Sequence, residues 1–241
     1  MRVTIAHLYY DILNLYGESG NVKILKRQLE DQGVNVSVKF LTIDDTLDFS
    51  KYDVVYIGMG TEDNQKIALK HLYKYRKDVK EAIDNKKFFI ITGNSIELFG
   101  KEIIDINNKK HRGLNIFDYT SKEEEFRIVD EALFKCNFIK KPILGFQNQG
   151  SIMRNNENYM FSVLKGTGSY PNSTNEGVLY NNFYGTYLIG PILIRNPELV
   201  RYLTKKIITS KDKNFKFNPF NLMLEKNAYN TFMENYYKEY I

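Results

Sequence analysis

The apolar positions of this chain fall into two periods, one for strands and one for helices. Residues 2–9 form an apolar, strand-like run. Val22, Ile24, Leu25 and Leu29 then recur at helical spacing, which predicts a helix over residues 21–32 that stops at Gly33. Residues 34–38 alternate as a half-buried strand, and residues 52–58 form a second buried strand that runs into Gly58. The lysine-rich stretch 64–84 predicts one helix. Residues 88–92 are a third buried run, and Gly93-Asn94-Ser95 turns it into a helix from about Ile96.

The second half reads differently. Short apolar runs at 126–129, 142–146, 159–161, 177–180 and 183–187 predict antiparallel strands added to the sheet. The chain is helical from Pro197, breaks over 211–219, and ends in an amphipathic helix carrying Leu222, Leu224, Tyr229, Phe232, Tyr236 and Tyr237. Asparagine-rich stretches at 107–110, 155–158 and 171–175 predict surface loops. Strands alternating with helices imply an α/β fold, a mostly parallel sheet with helices on both faces. A boundary near residue 200 divides an α/β domain, 1–200, from a C-terminal helical extension, 201–241.

Composition narrows the chemistry. Thirty-four basic and 29 acidic residues leave a net charge of +5, and no basic-aromatic motif supports nucleic-acid binding. The one cysteine, Cys136, flanked by Phe134 and Phe138, reads as a structural thiol and excludes an intrachain disulfide. His7, His71 and His111 make no metal-binding spacing, so neither a metal nor a cofactor is expected. No apolar run has the roughly 20 residues a membrane span needs. The start of the chain does not read as a signal peptide, so a cytoplasmic location is expected.

Three segments could carry chemistry. Gly58-Met59-Gly60 ends a strand where α/β proteins place ligands, and its amides could hold an anion, although such a turn often holds nothing. The strand–turn–helix at 88–100 has the form of a nucleophile elbow, and its one hydroxyl, Ser95, also reads as a helix N-cap. Gly185 to Pro191 is a strand that ends in Gly-Pro.

In order and spacing these segments resemble the GatD-like (CobB/CobQ-type) class I glutamine amidotransferases, from about residue 3 to 200. The run from His7 to Asn21 is similar to that family's opening. Gly58 to Gln65 resembles its Gly-Gly-Gly-x-Asp-Arg-Glu-Gln loop. Gly93 to Gly100 falls on Cys-Gly-Gly-Tyr-Gln-Leu-Leu-Gly, Gly145 to Gly150 on Gly-Phe-Glu-Asn-His-Gly, and Gly185 to Pro191 on Gly-Thr-Tyr-Leu-His-Gly-Pro. The resemblance implies a flavodoxin-like class I glutamine amidotransferase fold. It also implies a Mur-ligase-like (MurT-type) partner in peptidoglycan biosynthesis, where the pair amidates the cell-wall precursor lipid II.

The departures fall on the chemistry. The family's cysteine attacks glutamine and its histidine moves the proton. Here those positions carry Gly93 and Ile189, while Glu18 keeps the carboxylate that supports the histidine. The family's substrate arginine falls near Ile152, with Arg154 two residues on. Gln147 and Gln149 replace a glutamate and a histidine. The expected ligand-contacting set is Gly58, Gly60, Asn94, Ser95, Glu97, Gln147, Asn148 and Arg154, with Ile96 and Ile189 as side chains that could fill the pocket. The reading is a pseudoenzyme subunit. Two alternatives stand beside it: a small-molecule (amide or amino-acid) binding protein, and an enzyme with relocated chemistry among Glu18, Glu62, Asp63, Asn94, Ser95, Glu97 and Tyr187.

Overall fold

The computed structural model describes residues 1–241. Its first sheet is the predicted parallel one. β1 (Arg2–Leu8) pairs in parallel with β2 (Asn35–Leu41) and β3 (Val54–Ile57), and β3 with β4 (Phe88–Thr92). The crossovers carry α1 (Ser19–Asp31), α2 (Glu62–Leu72) and α3 (Arg76–Asp84).

The second sheet takes β5 (Glu102–Ile104), β6 (Lys110–Arg112), β7 (Thr120–Lys135), β8 (Ile143–Arg154), β9 (Phe161–Lys165) and β10 (Asn175–Glu176). The chain then returns through β11 (Val178–Tyr180) and β12 (Phe183–Thr186), giving the first sheet the order β11-β12-β4-β3-β1-β2. β12 lies parallel to β4, and only β11 runs antiparallel. The end of the chain is helical: α4 (Ile192–Arg195), α5 (Pro197–Lys211) and α6 (Met223–Tyr236). None of these helices is long and apolar enough to cross a membrane.

The pleat of the first sheet sorts the core into two halves. Along β3, Val55 and Ile57 pack with Leu72, Val79 and Ile83 on one face. Val54 and Tyr56 pack with Leu25, Leu29, Leu203 and Ile207 on the other. Each such aliphatic side chain contributes about 1.5–3 kcal/mol by leaving water. A smaller cluster joins Leu133 and Leu144 to Tyr229, Met233 and Tyr237 near the end of the chain.

Several expectations change, among them the antiparallel strand expected at 183–187, since β12 runs parallel to β4. The helix predicted over 64–84 is two helices, because a 3-10 turn at Tyr73–Tyr75 divides it. The helix expected from Ile96 is a short 3-10 segment, Gly93–Phe99. It cannot continue because its last carbonyls are already taken: Leu98 O accepts from Leu114 N–H at 2.8 Å, and Phe99 O accepts from Ile116 N–H at 3.0 Å. The strand predicted at 126–129 is the middle of the much longer β7. The stretch 107–110 is not wholly loop, since Lys110 begins β6. In the last helix Leu222, Tyr229 and Tyr237 are buried as expected, but Leu224 and Tyr236 stay exposed.

Candidate functional site

β3 and β4 are neighbours in a parallel sheet, so the loops at their carboxyl ends meet. At the elbow Gly93 has φ +64°, the left-handed region that glycine adopts without steric cost. The two loops are stitched together by side chains. Asn94 Nδ2 donates to Gly60 O at 2.9 Å, and Asn94 Oδ1 accepts from Gly60 N–H at 3.3 Å. Ser95 Oγ donates to Gly58 O, so it acts as a cross-loop strut. Gln65 Nε2 donates to Asn94 O and, at 2.9 Å, to Glu97 Oε2. The structure therefore brings Gly58, Gly60, Asn94, Ser95 and Glu97 together as expected, with these groups bonded to one another.

The space above the elbow is filled. A Cβ at residue 93 would lie 2.7 Å from Met59 Cγ and 3.0 Å from Met59 Sδ. Met59 is itself buried and stands at the middle position of Gly58-Met59-Gly60. The filling side chain is thus Met59, whereas Ile96 packs against Gly185, 3.0 Å from where a Cβ there would sit. Ile189 is fully buried, and its N–H donates to Phe146 O at 2.9 Å.

Glu18, at the head of α1, is also fully buried. Its Oε2 accepts from Tyr56 Oη at 2.9 Å and from Thr92 Oγ1, and its Oε1 accepts from Gly190 N–H at 3.2 Å. Burial raises its pKa to about 7, against the opposing pull of these hydrogen bonds. Burial likewise raises Glu97 to about 7, with Gln65 and the hydroxyls of Ser151 and Tyr187 beside it.

The pattern of the CobB/CobQ-like glutamine amidotransferase domain matches residues 4–197 of this chain. The chain belongs to the CobB/CobQ-like glutamine amidotransferase family. It is 29% identical over 215 residues to the GatD subunit of a glutamine-hydrolyzing lipid II isoglutaminyl synthase from Staphylococcus aureus strain N315, covering 89% of this chain and 88% of that protein. It is 28% identical over 213 residues to the corresponding subunit from Streptococcus pneumoniae strain ATCC BAA-255 / R6, covering 87% and 82%. A crystal structure of a glutamine amidotransferase aligns with a TM-score of 0.54 at 12% identity, over 84% of this chain and 98% of its own, which shows the shared fold.

The rim of this CobB/CobQ-like site departs from the sequence expectation. Gln147 and Gln149 are buried, donating to the carbonyls of Gly168 at 3.1 Å and Ser169 at 3.2 Å. Asn148, on the opposite face of β8, reaches the Tyr16 hydroxyl at 2.6 Å. Period-2 alternation along 147–149 separates these faces and could have been read from the sequence. Arg154 stacks on the Tyr170 ring, 3.7 Å from its centroid. The arginine that meets Asn148 is Arg127, which sequence reasoning missed. It donates to Asn148 Oδ1 and to Glu62 Oε1, each at 2.9 Å. A bulge brings it there, because residues 124–127 of β7 lie opposite Gly150 alone. Tyr187 is buried beside Glu97, and Asp63 is exposed.

Proposed function

We propose that this chain is a GatD-like subunit that does not hydrolyse glutamine. In this reading it serves as a non-catalytic or regulatory partner of a Mur-ligase-like (MurT-type) enzyme in lipid II amidation. One observation carries the proposal: the Met59 side chain fills the volume that a nucleophile on residue 93 would need. Covalent attack on an amide requires a thiolate and a group to move its proton. Gly93 and Ile189 supply neither, and the proton-transfer part alone contributes about 10²–10⁴-fold in rate. The bonding of Asn94 to Gly60 and of Ser95 to Gly58 supports the same reading, because these groups hold the loops together. The names of the two relatives supply the subunit role and the lipid II context.

The test is co-expression with a MurT-type ligase. The expected result is a stable complex that releases no ammonia from glutamine and amidates lipid II only with an ammonium salt. Glutamine-dependent ammonia release by the unaltered complex would defeat the proposal, as would failure of the chain to associate with the ligase.

A further inference from the structure

Three oxygens at the carboxyl edge lie within hydrogen-bond reach of one another. Tyr56 Oη is 2.9 Å from Glu18 Oε2 and 2.8 Å from Thr92 Oγ1, and Thr92 Oγ1 closes the triangle on Glu18 Oε2. Three contacts need three protons. Tyr56 and Thr92 bring one each. The further donor, Asn21 Nδ2 at 2.9 Å from Tyr56 Oη, bonds from outside the triangle. With Glu18 ionised, both hydroxyl protons turn to the carboxylate, and the Tyr56–Thr92 contact becomes lone pair against lone pair. A proton on the carboxyl completes a ring in which every oxygen donates once and accepts once.

The surroundings favour the acid form. Nothing charged sits against the carboxyl: β3 presents Tyr56, β4 presents Thr92, and the turn after Leu188 presents the amide of Gly190. The nearby titratable ring is His7 on β1, packed against Tyr56 with centroids 5.1 Å apart. Burial holds its pKa down to about 4, so it is neutral near pH 6–7. The ring spans separate parts of the fold. Glu18 belongs to the head of α1, and from the same helix Asn21 Oδ1 accepts from Leu193 N–H at 2.9 Å.

We propose that Glu18 is a resident carboxylic acid whose proton closes this ring and clamps the head of α1 to β3 and β4, and that loss of this proton loosens the head of α1, and with it the acceptors that Glu18 and Asn21 offer to Gly190 and Leu193. The proposal goes beyond the subunit reading and stands without it. The sign follows from linkage. A carboxyl raised by burial from 4.5 to about 7 holds the clamp fully below 4.5, and the clamp weakens as the pH climbs to 7.

Two measurements on the full chain test it. The first is native-state hydrogen exchange at Gly190 and Leu193, corrected for intrinsic rates. Protection should fall by about tenfold per pH unit between pH 5 and 7 and level off above, whereas in Glu18→Gln it should be flat. Equal slopes in the two proteins would overturn the proposal. The second is a carbon-13 titration of the Glu18 carboxyl in the unaltered protein, which decides the matter even if the variant does not fold. A midpoint near 7 supports the clamp, and a midpoint near 4.5 refutes it.

Discussion

At residue 93 a single methylene would meet an obstruction. A cysteine there would press its Cβ into Met59, and its backbone would have to hold φ +64°, which L side chains rarely adopt. Overpacking of this kind costs about 1–3 kcal/mol. Gly93→Cys should therefore destabilise the protein, and its thiol should be slow to react with a small alkylating reagent. Adding Met59→Gly should remove the overlap and speed alkylation by at least tenfold. Equal thiol reactivity in the single and double variants would show that Met59 is not the obstruction. Gly93 and Ile189, which the resemblance sets against the family's cysteine and histidine, could be picked out in the sequence because matching motifs flank both positions. The plug could not be. Methionine is flexible and chemically undemanding, and only the parallel pairing of β3 with β4 brings it over the elbow. Arg127 stayed hidden for a similar reason, since it sits in a charged run that a bulge bends toward Asn148.

Elements differ in how openly the sequence declares them. The buried strands β1, β3 and β4 announce themselves as apolar runs. β7 does not, because the charged run Lys122 to Glu125 lies near its start, and only its partners reveal a strand of 16 residues. The break at Tyr73–Tyr75 is equally silent, since tyrosine and lysine are both tolerated in helices. The last helix, α6, tests how much an appended element contributes. Tyr229, Met233 and Tyr237 cover Leu133 and Leu144, and Tyr229 Oη donates to Pro142 O at 2.8 Å. Met233→Ala should cost about 2–5 kcal/mol in chemical denaturation if α6 unfolds together with the rest. An unchanged denaturation midpoint would mean that α6 detaches before the core melts.

For the molecule as a whole, the distinctive electrostatic feature is three buried carboxylates without a cation among their hydrogen-bond partners. Glu176 joins Glu18 and Glu97, accepting from Thr186 Oγ1 and Tyr187 N–H, each at 2.7 Å. Burial raises each of the three from 4.5 to about 7. The folded chain therefore binds protons more tightly than the unfolded chain across this window. These groups stabilise the fold fully below pH 4.5, and their contribution is lost as pH rises to 7. Urea midpoints should fall from pH 5 to pH 7 and then flatten. The Glu97→Gln variant should weaken that slope and still fold, because an amide has nearly the shape of a protonated carboxyl. A midpoint that rises over the same interval would contradict this account. The sequence shows all three glutamates, but their burial is a tertiary fact: Glu176 lies in a two-residue strand that no periodicity marks.

On the proposed reading, the bulk of Met59 opposite Gly93 also limits which substitutions could build a nucleophile here. A mutation that introduces cysteine first meets the methionine beside it. A mutation that removes the methionine first leaves a hole with nothing to fill it, and the loss of a buried methionine side chain down to alanine already costs about 2–5 kcal/mol. Both orders pass through a less stable intermediate, and Ile189 must change as well before any proton can move. The packing acts as a ratchet: an attacking thiol at residue 93 needs coordinated substitutions at residues 59, 93 and 189.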